Sequence, residues 1–506
     1  MQPSIRKKIM QREGKKFPSK TYQELVLEPA YNQAKVNSLR PMIQIHLAHL
    51  IMLEEEGIIQ RKEAKKIIKA IQKINIPKLE KGSYNPVFED LFFEVEHFLI
   101  EEAGEVAGNL HIARSRNDMG IALYRMNLRK RLLRLIEAAL ELRESLIELT
   151  KEHIDTIMIG YTHTQQAQPT TLGHYFHALT NKLTRDIKRF ISAYQTVNRS
   201  SMGSAALTTS GFPINRKRVQ ELLGFEEIIE NAWDAVSAAD YIGEVATSVQ
   251  LAAINLGRST QDLLLWGTQE FDVFTLFEPY VQISSIMPQK QNPVSIEHIR
   301  SLLSSVVGDA QTVLMMMHNT PYGDIVDTED DMQPFIWNAI ERLEKIYYLL
   351  SSVLMTMKVN KETLLERAKK SFANVTELAD TLVRSEKISF RKAHEIVSSA
   401  VRELVNQGKA SLESLRLHYL NKHAEQVLGH KLQLTETELK KALDANYFVH
   451  IRSLEGGPSA EAMNTAIEKE ITRQDDLIDW LKKKNNILQR AHERIEERIT
   501  SLMDDE

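Results

Sequence analysis

Ser284-Ser285-Ile286-Met287-Pro288-Gln289-Lys290-Gln291-Asn292-Pro293, or SSIMPQKQNP, runs straight into Val294-Ser295-Ile296-Glu297. Asn292 before Pro293 predicts a helix start, because an Asn side chain caps free backbone N–H groups and proline is tolerated at the first helical position. A polar loop therefore leads into a helix N-terminus with partial positive charge, and Lys290 adds a full one. Such a loop suits a ligand with one or more carboxylates. Two serines beside a lysine also offer a nucleophile or a base. The same residue types make ordinary capped turns, so the rest of the chain has to decide between the two readings.

The surrounding composition is that of a helical globular protein. Hydrophobic residues make up 43% and charged residues 26% of 506 positions, enough to bury a large core or several. With 64 Lys+Arg against 68 Asp+Glu the net charge is −4, so no strong field recruits nucleic acid or a membrane surface, and neither is expected as a partner. The absence of cysteine excludes disulfides, thiol nucleophiles and thiolate metal sites. The start, MQPSIRKKIMQREGKKF, is basic but lacks the apolar core of a secretion signal, and no later run is long and uncharged enough to span a membrane. A cytoplasmic protein is expected. Only 20 Gly and 14 Pro occur, far below the roughly 12% of an average chain, which implies long helices.

Apolar spacing predicts where those helices lie. Leu39 to Leu53 and Arg61 to Ile74 form amphipathic segments, and Glu89-Asp90 opens a third through Leu99. Ile121, Leu128, Leu132, Leu135, Leu142, Leu146 and Leu149 mark a stripe that runs to about His153, a helix of roughly 50 Å. Leu172 to Tyr194 repeats the pattern. Asp234 to Trp266 is rich enough in Ala and Gly to sit in the middle of a bundle, and Ile296 to Met317 and Pro334 to Met357 add two long helices. Shorter helices such as Ala379 to Leu404 follow, then a polar loop at residues 452–458 and a charged terminal helix whose end is expected to be solvated. The expected division is a helical unit over 1–110, a long-helix bundle over 111–360 and a helical unit over 361–506.

Two further polar motifs lie at ends of these helices: His111-Ile112-Ala113-Arg114-Ser115-Arg116-Asn117-Asp118, and Gly160-Tyr161-Thr162-His163-Thr164-Gln165 with Gln168-Pro169. Spacing alone does not bring the three together, but helices sharing a bundle could, within one chain or between chains. Their order and content resemble the argininosuccinate lyase branch of the fumarase/aspartase superfamily, from about Glu89 to Gly456-Gly457-Pro458. The resemblance extends through Ser204 to Pro213, Asp234-Ala235-Val236-Ser237 and Asn374-Val375-Thr376-Glu377-Leu378-Ala379-Asp380.

The resemblance implies an all-α three-domain fold with a long central bundle, and a homotetramer with active sites shared between chains. It implies a carbon–nitrogen lyase that releases fumarate from an N-succinyl amine without metal or cofactor, through an aci-carboxylate dianion stabilised by cations and N–H donors. Ser284 is then the base, with Lys290 and the helix start at Asn292 stabilising negative charge. His163, polarised by Glu297, contacts a substrate carboxylate or handles the leaving amine's proton; which group is the acid stays open. Ser115, Arg116, Asn117 and Thr162 match carboxylate-binding groups, and Asp90 is placed near the amine half. Arg114 is either part of the site or a structural ion-pair partner, and Asp118 is read as an interhelical or helix-start contact. His174 and His177 stand one turn apart, but no metal-ligand motif accompanies them.

The chain departs from the family pattern in three places. Ile283 replaces the usual Gly before the paired serines, which bears on loop mobility. The Trp-Gly-Gly-Arg opening is missing. Asp324, Glu329 and Met332 occupy places where the family has Tyr, Gln and Lys to recognise the arginine half, so the lysine that partners that half's carboxylate is lost to Met332, and the acids gained at 324 and 329 favour a cationic group. Argininosuccinate is the first substrate expected. The alternatives are a related lyase for another aspartyl or N-succinyl amine, similar to ethylenediamine-disuccinate lyase, and a silent crystallin-like structural protein, against which Ser284, His163, Lys290 and Glu297 argue.

Overall fold

In the computed structural model, which describes residues 4–409 and 411–504, the segments with helical apolar spacing are helices. After an N-terminal arm of short helices, among them Ile5–Glu13 and Glu28–Asn37, come α1 (Leu39–Glu55), α2 (Arg61–Gln72) and α3 (Leu91–Ala103). Asp90 caps α3 by accepting from the Phe93 N–H, and a Gln60/Glu63 capping box opens α2. Their apolar faces close over one cluster that includes Ile45, Ile51, Ile67 and Val95.

The chain then enters α4 (Arg116–Glu152), whose 37 residues span about 55 Å. An antiparallel hairpin, β1 (Ile157–Thr162) and β2 (Gln165–Thr171), leads to α5 (Leu172–Val197), the short α6 (Arg216–Leu222) and α7 (Asp240–Trp266). A two-residue ladder, β3 (Gln282–Ile283) with β4 (Gln291–Asn292), precedes α8 (Val294–Met317) and α9 (Gln333–Thr356). Helices α4, α5, α7, α8 and α9 share one core, with Leu132, Phe176, Val249, Val306 and Ile340 among its fully buried residues. Helix α10 (Lys361–Lys370) packs Leu364 into the bundle core and Ala368 into a cluster with Ile157 and Ile159 of β1, a smaller core around Leu382, Ile396 and Leu420 holds α11 (Val375–Glu386), α12 (Phe390–Asn406) and α13 (Leu417–Leu428), and α14 (Ala460–Asp504) closes the chain. The fold is all-α as expected. Among the described residues no helix is long and apolar enough to cross a membrane.

Four local expectations need correction. The helix expected from Asp234 to Trp266 is broken: Ala232–Ser237 forms a short helix, Ala238 is extended, and α7 begins at Asp240. Ala379 to Leu404 is broken at Lys387, which adopts a left-handed conformation, after which Ser389 caps α12. Asn292 does not cap α8, because it is committed to the ladder opposite Gln282, and Pro293 stands just outside the first helical turn. The terminal helix is not a solvated end. Met463, Ile467, Leu481, Ile495 and Ile499 bury one face of α14, and its Glu470 pairs with the fully buried Arg143 of α4.

Two contacts set the polarity of the bundle. Arg125, near the start of α4, donates to the Thr196 carbonyl at the end of α5 and lies 3.8 Å from the ring centre of Tyr241 at the start of α7. Gly243, also at the start of α7, abuts Met317 at the end of α8; a Cβ there would stand 2.9 Å from the Met317 methyl. One end of the bundle therefore carries the start of α4. The opposite end carries the β1–β2 hairpin and the start of α8.

Candidate active site

The first motif is a helix start built for anions. Ser115 is the N-cap of α4, and its backbone N–H donates to Asp118 Oδ1 at 2.9 Å in a capping box. The Ser115 hydroxyl donates to Asn117 Oδ1 at 2.6 Å. Arg116 donates to Asp90 Oδ2 at 2.9 Å and Glu89 Oε1 at 3.4 Å, and lies over the Phe93 ring. Burial lowers the Arg116 pKa, but the Asp90 and Glu89 carboxylates outweigh it and leave the group raised. Asp90 thus serves Arg116 and the cap of α3 together.

Beneath this start lie residues that sequence reasoning missed. His46 and His49 on α1 are each 1% exposed. Arg114 donates to His46 Nδ1 at 2.9 Å, and the His49 ring meets the Ile112 carbonyl at 2.9 Å. Burial pushes the Arg114 pKa down to about 10, and burial with the nearby Arg114 charge pushes His49 down to about 3. Arg114 is a structural group, but its hydrogen-bond partner is a neutral imidazole instead of the carboxylate of an ion pair. The one available signal was two histidines, i and i+3, interrupting the apolar face of α1.

The loop between α8 and α9 returns to this same end. The Tyr322 hydroxyl donates to Asp234 and the Trp233 indole donates to the Tyr322 carbonyl, which docks the loop. Glu329 hydrogen-bonds Asp324 and reaches within 4.0 Å of where a Cβ on Gly120 would lie, one turn beyond Arg116. Burial first, then the Asp324 carboxyl, push the Glu329 pKa up to about 9. One turn further along α4, Tyr124 donates to Asp330. The structure thus brings Asp90, Ser115, Arg116, Asn117, Asp324 and Glu329 to one end. Met332 is fully buried in the bundle core, and its side chain is spent on packing there.

Thr162, His163, Ser284, Lys290, Asn292 and Glu297 sit at the other end. His163 and Thr164 form the exposed tip of the hairpin with φ of 51° and 60°, a primed turn made from two residues that disfavour that conformation. Two strained non-glycine residues at an exposed tip are a functional signal, since such strain persists only where the surroundings hold it. The Ser284 Oγ accepts N–H groups from Met287 at 3.2 Å and Ile286 at 3.4 Å. Two donors on that oxygen favour its deprotonated form, the state a base requires. Lys290 is exposed and makes no ion pair among the described residues, so its charge is available. Glu297 is exposed in the first turn of α8, and no hydrogen bond among the described residues links it to His163.

Within one chain the candidate site residues therefore fall into two separate groups. The hairpin lies the length of α4, about 55 Å, from Arg116, and the start of α8, 24 residues long, is about 36 Å from that end. Among the described residues no group of three or more His, Cys, Asp or Glu could hold a metal ion. His174 is engaged with Thr170 and the Gly456 carbonyl, and His177 with Asn181.

Comparisons with known proteins place the chain among its relatives. The family described as Lyase matches residues 26–308, and the family described as Argininosuccinate lyase C-terminal matches 372–450. Argininosuccinate lyase 2 of Agrobacterium fabrum is 38% identical over 461 residues, covering 90% of this chain and 91% of that protein. Argininosuccinate lyase of Methanothermobacter thermautotrophicus is 37% identical, covering 84% of this chain and 91% of its own. Among solved structures, EDDS lyase in complex with formate superposes with a TM-score of 0.86 at 30% identity, covering 97% of this chain and 96% of that one.

Proposed function

Because the chain belongs to the argininosuccinate lyase branch of the fumarase/aspartase superfamily, we propose that it is the carbon–nitrogen lyase that splits argininosuccinate into arginine and fumarate. A place in arginine biosynthesis, in the cytoplasm, goes with that substrate. The observation that carries the reading is the pair of separated clusters, the Ser115–Asn117 helix start with Arg116 and the serine loop with a free lysine, on a fold shared with EDDS lyase.

In this reading Ser284 removes the proton beside a substrate carboxylate and Lys290 stabilises the charge that spreads onto it. Ser115, Arg116, Asn117 and Thr162 grip the carboxylates. His163, oriented by Glu297, serves the carboxylate or the departing amine, and Asn292 holds the base of the serine loop. No protomer can join its own two ends, so we propose a homotetramer in which each site combines ends from different copies. Exposed Ile254, Leu265, Leu302 and Met315 on α7 and α8 supply apolar surface for that assembly. A division near residues 110 and 360 belongs to the same reading.

A second reading has a specific observation behind it. Met332 is buried, so no lysine stands there to meet a carboxylate of the leaving amine, and Asp324 near the start of α4 favours a cationic group on it, which fits another aspartyl or N-succinyl amine as in the EDDS-lyase-like alternative. Both readings are tested by fumarate absorbance with argininosuccinate, run beside fumarate consumption with a panel of amines. Release from argininosuccinate supports the first; no release together with addition of another amine supports the second. Ser284→Ala is expected to abolish turnover and leave the oligomer assembled, and near-normal turnover would remove Ser284 as the base.

A further inference from the structure

Asp118 is a fully buried carboxylate with no ion-pair partner among the described residues. Its oxygens are spent on backbone. Oδ1 accepts the Ser115 N–H at 2.9 Å, and Oδ2 accepts the Gly203 and Ala205 N–H groups, each at 2.9 Å. The Ser201 hydroxyl donates to the Asp118 carbonyl at 2.7 Å. One side chain thus joins the substrate-facing start of α4 to a segment more than eighty residues later. In that segment Ala205 is held at φ of 54°, and Gly203 at φ of 80° is packed where a Cβ would stand 2.6 Å from the Arg216 side chain, so only glycine fits.

A buried carboxylate is costly unless its acceptors are filled, and three N–H donors fill them here. We infer that Asp118 is a positioning residue that holds Ser115, and through it Arg116 and Asn117, in register with the 201–209 segment, so that the carboxylate grip is preformed. It acts through Ser115 and touches no substrate. This rests on the proposed fumarate-releasing function and concerns the fumarate half alone, so it is independent of which amine departs.

The charged groups facing Asp118 are Arg114 in its own loop and Arg216 on α6; behind Arg114 lie His46, His49, His111 and Glu96. Burial pushes the Asp118 carboxyl up to about 6, against the opposing pull of the three N–H groups and Arg114. Protonation on the acid side of that value replaces an acceptor with a donor aimed at N–H groups. Fumarate affinity is therefore expected to fall as the pH drops through it.

The test is calorimetric titration of the purified oligomer with fumarate between about pH 5 and pH 8, comparing wild type with Asp118→Asn and recording thermal midpoints alongside. The amide keeps one acceptor for Ser115 but turns an NH2 toward Gly203 and Ala205. Kd for fumarate is expected to rise about tenfold and to lose its acid limb. An unchanged Kd with only a lower midpoint means a purely structural role and overturns the inference, as does an acid limb that persists in the variant and so belongs to His111. Should Asp118→Asn not fold, Ser201→Ala removes only the donor to the Asp118 carbonyl and is expected to raise Kd about threefold; no change overturns the inference. A wild-type protein that binds no fumarate removes the proposed function itself, and this inference with it.

Discussion

Arg114 donates to His46 Nδ1 at 2.9 Å across 68 residues of sequence, joining α1 to the loop that opens α4. The imidazole has to be neutral to accept, and burial holds it so. His46→Leu leaves a buried guanidinium N–H unmet and is expected to cost about 2 kcal/mol. His46→Asn keeps an acceptor near the Nδ1 position and is expected to cost less than half of that. Denaturant melts of the two variants check the order; equal losses would mean that ring packing, and not the hydrogen bond, matters at this position.

Thr164 carries left-handed strain at the hairpin tip beside His163. Thr164→Gly relieves it and is expected to stabilise the hairpin by about 1 kcal/mol, while the looser tip lowers turnover. Thermal midpoint and kcat are to be measured on the same preparation. A midpoint that does not rise would show that the tip is unstrained.

Glu329 carries its proton to unusually high pH, about 9 against an ordinary 4.5. Between those values the folded chain binds more protons than the unfolded one, so stability falls as pH rises across that window and is highest on its acid side. Glu329→Gln removes the titration. Wild type and variant are expected to differ most near the alkaline edge of the window, where the variant melts higher. Parallel melting curves across the whole range would contradict this.

Arg143 and Glu470 form an ion pair with side chains 0% and 2% exposed, which ties α14 to α4. Arg143 also donates to Thr184 and to Gln474, so its planar fork is filled. Glu470→Ala leaves a buried cation and is expected to cost about 3 to 5 kcal/mol. Replacing both partners, Arg143→Met with Glu470→Leu, is expected to recover most of that loss. Chemical denaturation of the single and double variants reads both quantities.

The local texture of this protein was legible in its amino-acid sequence. Apolar spacing along α4 and α5 reports a helical face directly, because burial of one stripe is the dominant local driving force. The motif content around Ser115, His163 and Ser284 likewise carried the resemblance to the family. Breaks at Ala238 and Lys387 left no such mark, since an alanine or a lysine continues a helix as readily as it ends one and only packing decides. Asn292 shows the same limit: its capping preference lost to a ladder with Gln282, ten residues earlier.

What the sequence by itself determined was the family, the all-α class and the identity of the polar residues, because these depend on composition and short-range order. Tertiary structure alone decided which of those residues meet. It placed Asp324 and Glu329 beside Arg116, buried Met332, and enlisted His46, His49 and Asp118 beneath the helix start. It also set His163 and Ser284 at the far end of a 37-residue helix from Arg116. The reason is geometric: a straight helix holds its two ends apart by its own length, and no local preference can shorten it.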